Sequence, residues 1–188
     1  MKNKATRITI VIICLVLGML AYYAYLSNRR VSQKAANVKN MVQEVLATDL
    51  TKQYPGTVRE VMKFYNQIML CLYRGECTDD EILALGSKAR ELYDEELLEA
   101  NPEEEYRIRL LAEVKDYRDK KRSITSSSVP SASNVETFKE DGYEFARIQC
   151  SYTLVTEGQG RTLNTVYLLR RDKNRQWKIY GWDAAENL

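Results

Sequence analysis

The sequence predicts an α+β fold in which an N-terminal transmembrane helix is followed by amphipathic helices packed on a curved, mainly antiparallel four-stranded sheet. Three observations lead there. From Ile8 to Leu26 every residue but Thr9 is apolar or aromatic. From Thr57 to about Tyr117 apolar residues recur at three- and four-residue spacing, and after Val135 they alternate, with short turn sequences between the runs.

The first run reads as a membrane anchor. Nineteen helical residues reach roughly 28 Å at about 1.5 Å per residue, close to the ~30 Å hydrocarbon core of a bilayer. Lys2, Lys4 and Arg7 precede it, Arg29 and Arg30 follow it, and Tyr22, Tyr23 and Tyr25 stand where amphipathic rings favour the headgroup layer. A cleaved signal would need small residues at the −1 and −3 positions, but Tyr22 and Tyr25 occupy −3 for Ala24 and Ser27. A short basic tail most simply stays in the cytoplasm. The expected location is therefore the cell membrane, single-pass, with the C-terminal domain extracytoplasmic; an inward-facing domain is the open alternative, because the flanking bases nearly balance. The expected divisions are 1–30 for tail and anchor, 31–53 for a helical stalk, and 54–188 for the α+β domain.

Composition narrows the chemistry. Taking Lys2, Lys4 and Arg7 from the 28 basic residues leaves 25 against 26 acids, a balance that argues against a nucleic-acid surface. The chain has no histidine, and only Cys71, Cys77 and Cys150 lie outside the anchor. Histidine-based acid–base catalysis, Ser-His and Cys-His sites and the common zinc sets are therefore out of reach. No cofactor, metal site or catalytic residue is expected. Cys71 and Cys77 either close a short loop across Gly75 or stay, with Cys150, as buried thiols.

Beyond the stalk, with Val38, Met41, Val42 and Val45 on one face, Pro55-Gly56 breaks the helical pattern. Thr57 N-caps a strong amphipathic helix carrying Val58, Val61, Met62, Tyr65, Ile68 and Leu72, which Gly75 ends. Thr78-Asp79-Asp80-Glu81 is a capping box opening a helix or helix pair that runs to about Ala100. Asn101-Pro102 opens another, with Tyr106, Leu110, Val114 and Tyr117 inward and charges that complement the helix dipole. Glu105–Arg109 and Asp116–Lys120 have the spacing of ion pairs.

Ser123 to Ser133 is a loop or a loosely held strand. Val135 to Lys139, Tyr143 to Thr156, Arg161 to Arg171 and Arg175 to Asp183 read as four strands joined by hairpin turns at Asp141-Gly142, Gly158-Gln159-Gly160 and Asp172-Lys173-Asn174. Tyr143 and Phe145 fall out of phase with the face formed by Ala146, Ile148, Cys150, Tyr152 and Leu154, so a bulge is expected near Phe145. In the last strand Trp177 and Ile179 are expected to oppose Tyr180 and Trp182.

Helices followed by an antiparallel meander, opened by Thr57-Val58-Arg59-Glu60-Val61-Met62-Lys63-Phe64-Tyr65 and closed by Gln176-Trp177-Lys178-Ile179-Tyr180-Gly181-Trp182-Asp183, resemble the cone of the nuclear transport factor 2-like superfamily. The resemblance covers Tyr54 to Asp183. The whole chain is similar to uncharacterised single-span membrane-anchored proteins of clostridia-like bacteria. The resemblance implies an apolar pocket between helices and sheet, in which the superfamily's enzymes place an Asp or His. This chain has no His and no carboxylate midway along an apolar strand face.

Two non-enzymatic functions are therefore expected. The first is an interaction or scaffold domain of a bacterial envelope protein, with envelope proteins or a second copy as partners and Tyr152, Tyr167, Tyr180 and Trp182 as aromatic anchors. The alternative is a binding module for a small apolar or peptide-like ligand, lined by Tyr65, Met69, Cys150, Trp177 and Ile179. Arg170, Arg171, Lys173, Arg175 and Lys178 either keep the last hairpin soluble or face an anionic surface.

Overall fold

The computed structural model describes residues 17, 19–25, 37–74 and 77–185. The chain divides into two compact units, Met1–Lys39 and Asn40–Leu188, and the architecture below is that of the second.

The membrane reading requires correction. Among the described residues no helix is long and apolar enough to cross a membrane. Of the run Ile8 to Leu26, residues 17 and 19–25 are described, as helix, and the rest lies outside the described residues. The transmembrane helix in the fold class, the membrane as partner and the single-pass extracytoplasmic location are not supported and are set aside.

Residues 37–47 are helical. In place of a projecting stalk, Val42, Val45 and Leu50 are buried, and Lys88 Nζ donates to the Thr48 carbonyl at 3.0 Å, so the compact unit starts ahead of the Pro55-Gly56 turn.

Helix α1, Val58–Tyr73, begins at a full capping box: Thr57 Oγ1 accepts from Glu60 N at 3.2 Å and Thr57 N donates to Glu60 Oε2 at 3.0 Å. Its apolar stripe, Val61, Met62, Tyr65, Ile68 and Leu72, is buried. Gly75 lies outside the described residues. Thr78 repeats the device for α2, Asp79–Arg90. Of the expected helix or helix pair to about Ala100, the structure has the pair: residues 91–94 leave the helix, and Asp94 caps a separate short α3, Glu95–Glu99, by accepting from Glu96 N at 3.1 Å. Pro102 precedes α4, Glu103–Asp119. Gly86 is the residue that lets α2 and α4 meet, since a Cβ there would collide with Leu110 and crowd Tyr106.

The sheet has five strands where four are expected: β1 Arg122–Ser128, β2 Glu136–Glu140, β3 Tyr143–Thr156, β4 Gln159–Arg171 and β5 Trp177–Ala184. The additional strand is the serine-rich stretch. It pairs with the far half of β3 while β2 pairs with the near half of the same edge; β4 and β5 follow on the other side. Ile124, buried at the end of an otherwise polar run, ties β1 to the core. The hairpin turns at Asp141-Gly142 and Glu157-Gly158 place both central residues at positive φ, the two-residue geometry that suits strand twist. The second turn thus starts one residue earlier than its glycines suggest.

Pairing along β3 is continuous through Phe145, so the bulge expected there does not exist. Phe145 simply occupies the sheet face away from α1 and α4, stacked on Phe138 at 5.6 Å and edge-on to Tyr180. The irregularities fall elsewhere, at Thr125 in β1 and at Tyr180 in β5. The Tyr180 bulge returns Trp182 to the same face as Ile179, where strict alternation would have put it opposite.

The free edge of β5 is covered by the segment between α2 and α3. Ile179 N donates to Leu92 O at 2.8 Å and Asp94 N to Ile179 O at 2.9 Å, a parallel bridge centred on Tyr93. This crossing sends Tyr93 toward the helices and Asp94 to the opposite face.

Candidate functional site

Helices α1 and α4 and the open ends of β4 and β5 enclose a cavity of about 400 Å3. Seven of its fifteen lining residues are aromatic. Tyr65 comes from the buried stripe of α1, Tyr93 from the edge-covering segment, Tyr106 from α4, Tyr152 and Tyr167 from paired strands, and Trp182 from beyond the bulge. Their rings meet edge-on or tilted: Tyr65 lies 5.7 Å from Tyr167, 6.2 Å from Tyr93 and 6.4 Å from Trp182, and Tyr93 lies 6.3 Å from Tyr106. Tyr65, Tyr152 and Tyr167 are buried, whereas Trp182 is 48% exposed and stands at the mouth.

The tyrosine hydroxyls hydrogen-bond in a defined direction. Tyr152 donates to Asn66 Oδ1 at 2.5 Å, so its contact of 2.7 Å with Tyr167 is made as acceptor, and Tyr167 is the donor. Asn66 is buried on α1 and its Nδ2 has no hydrogen-bond partner among the described residues; burial pushes the Cys150 thiol up to about 11. Tyr65 and Tyr93 hydroxyls are 3.4 Å apart. Burial, the largest cause for each, raises the phenols of Tyr65, Tyr93, Tyr106, Tyr152 and Tyr167. At neutral pH the wall is therefore uncharged, with hydroxyl protons in place.

Charge is confined to the mouth, on α4. Arg109 and Glu113, one turn apart, line it with Asn101. Glu113 Oε1 accepts from Tyr73 OH at 2.7 Å, and burial followed by the Glu113 charge raises the Tyr73 phenol. Arg109 Nη2 donates to Asn101 Oδ1 at 2.5 Å. The expected Glu105–Arg109 ion pair is not formed, whereas Asp116–Lys120 is, at 2.6 Å.

The residues singled out from sequence divide three ways. Tyr65, Met69, Tyr152, Tyr167 and Trp182 line this cavity. Cys150, Trp177 and Ile179 are buried core residues that do not reach it. Tyr180 lies on the opposite face, its hydroxyl donating to Glu96 Oε2 at 2.8 Å. Sequence reasoning missed Tyr93, Arg109 and Glu113 as lining residues; the last two share the helical face of Tyr106 and Leu110 at three- and four-residue spacing, which was the available signal.

Two other sequence features resolve as structure. Cys71, Cys77 and Cys150 are buried free thiols, and Cys77 Sγ donates to the Cys71 carbonyl at 3.3 Å. The basic residues of the last hairpin are mostly engaged. Arg170 pairs with Asp94 and Glu96, Arg171 with Glu144 at 3.0 Å, Lys173 with Glu95 at 3.3 Å, and Lys178 donates to the Glu91 carbonyl.

Fold and site together define a small α+β domain whose helices and antiparallel sheet hold an aromatic cavity. The chain belongs to the family described as Domain of unknown function (DUF6715), which matches residues 1–182. No curated protein matches it.

Proposed function

We propose that this domain is a non-enzymatic binding module for a small, largely apolar ligand held in the aromatic cavity, and that its arrangement is that of a nuclear transport factor 2-like cone. The carrying observation is the cavity itself: about 400 Å3 of space surrounded by aromatic rings, within the range of small-molecule sites of roughly 300–1,000 Å3. The wall offers hydroxyl groups that orient a ligand, and the one carboxylate at its mouth, Glu113, is exposed and already hydrogen-bonded to Tyr73. That is poor equipment for a general base, which needs a free oxygen and a dry setting. The scaffold reading has less support, because Tyr152 and Tyr167 are buried and cannot anchor a protein partner.

The test is the fluorescence of N-phenyl-1-naphthylamine, a neutral probe that brightens in apolar sites, titrated into the full chain. Saturable one-to-one enhancement is expected, and it should be abolished by Thr165→Trp or Leu163→Trp, which fill the cavity from β4. Enhancement that survives both substitutions in folded protein, as judged by circular dichroism, would place the probe elsewhere and refute the reading.

A further inference from the structure

We propose that the cavity's ligand carries a carboxylate on a planar apolar body, with the carboxylate held by Arg109 at the mouth and the body lying among Tyr65, Tyr93, Tyr167 and Trp182. This rests on the binding-module reading above and specifies its ligand class.

The argument starts from unspent hydrogen-bonding capacity. A guanidinium has five N–H donors in a planar fork that matches a carboxylate. Arg109 commits one of them, to the neutral Asn101 side chain, and is in ion-pair contact with no carboxylate among the described residues. It is the sole cation among the lining residues. Its partner Asn101 is itself fixed, since Asn101 Nδ2 donates to the Leu97 carbonyl at 2.9 Å and leaves the side-chain oxygen turned toward Arg109. The guanidinium is thus steadied at the rim with its remaining donors open.

The other charge at the mouth, Glu113, opposes an anion, but it already accepts from Tyr73, so its capacity to greet an ammonium group is partly used. Arg109 spends one donor of five on Asn101 and keeps the larger share for a ligand. Behind the two, the wall is neutral and aromatic, and its rings are set at tilted and edge-on angles around the space. Such walls accept a flat ring system. A molecule with a ring at one end and a carboxylate at the other satisfies both halves.

Isothermal titration of the full chain with three isosteric probes tests this: 2-naphthoate, 2-naphthamide and 2-naphthylmethylamine. Naphthoate should bind at least tenfold more tightly than the amine. Arg109→Gln should weaken naphthoate about tenfold, as expected for loss of a charge-assisted pair, and leave the amide unchanged. Glu113→Gln should tighten naphthoate. Preference for the amine, or equal affinity of amide and naphthoate with no response to Arg109→Gln, overturns the carboxylate assignment while leaving the cavity reading intact. Absence of binding by all three, together with no naphthylamine-dye enhancement, brings down both.

Discussion

Arg170 is the residue whose removal should be felt most. Its guanidinium lies between the rings of Tyr143 and Tyr180, at 4.7 and 4.8 Å from their centroids, and its Nε donates to Asp94 Oδ2 at 3.0 Å while Nη2 reaches Asp94 Oδ1 and Nη1 reaches Glu96. Both members of the central pair are withdrawn from water, with side-chain exposures of 11% for Arg170 and 4% for Asp94. Arg170→Met keeps the apolar stem between the rings and deletes the charge. Asp94 is then left ionised and uncompensated in a nearly dry site, which costs about 3–5 kcal/mol, the loss typical of breaking a buried pair from one side. That is a third or more of the ~5–15 kcal/mol that holds an ordinary domain together. Urea unfolding followed by far-ultraviolet circular dichroism measures it. The double variant Arg170→Met with Asp94→Asn should recover most of the loss, because Asn still caps α3 and leaves no buried charge. A single variant within about 1 kcal/mol of the parent, or a double variant weaker than the single, would show that Asp94 finds water or another partner and would refute the reasoning.

Two further outcomes follow from the interior. Tyr152→Phe removes the hydroxyl that donates to Asn66 and accepts from Tyr167, so two buried polar atoms lose a partner at once; a loss of about 1–3 kcal/mol is expected in urea unfolding, and an unchanged midpoint would mean that water replaces the hydroxyl. The three buried thiols are all raised above the ordinary value of 9.0, Cys71 to about 12 and Cys77 and Cys150 to about 11, with burial as the largest cause. Because folding favours their protonated form, the stability they contribute is complete below pH 9 and is lost as pH rises through about 11 to 12. A urea midpoint that falls steadily above pH 9, and a Cys14→Ser variant whose remaining thiols react with Ellman's reagent at pH 8 only after unfolding, are the expected observations; a midpoint flat from pH 9 to 11 would contradict them.

What could be read from the residues was whatever short-range chemistry decides. The boxes at Thr57 and Thr78, the Asp141-Gly142 turn and the whole extent of β3 are local, since side chain and backbone settle them within a few positions. The stretch Ser123 to Ser133 stayed open between a loop and a loosely held strand, because the partner of its strand, the far half of β3, lies some thirty residues away and its serines carry no alternation. The face of Trp182 was misjudged for a related reason: a bulge is a pairing event between two strands, and nothing in the order Ile179-Tyr180-Gly181-Trp182 announces it. The cavity suffered most. Tyr65, Tyr152 and Tyr167 belong to separate elements, and any of them looks from sequence like a core residue; only their assembled orientation shows that the space between them is unfilled. The anchor expectation rested on the apolar run, its basic flanks and the tyrosines at its end, and the described helices do not sustain it.

The single extra residue at Tyr180 makes this stretch of chain more sensitive to identity than to length. Exchanging Tyr180 for another residue disturbs three contacts on the far side of the sheet at once, with Phe145, Arg170 and Glu96. Removing it would leave Trp182 two positions after Ile179, so plain alternation would keep Trp182 at the cavity mouth and Asp183 outward, and the pairing with Tyr167 and Val166 would hold. Among natural variants of this chain, a one-residue gap between Ile179 and Trp182 would therefore mark the loss of the bulge and of the contacts made by Tyr180, with the aromatic mouth retained.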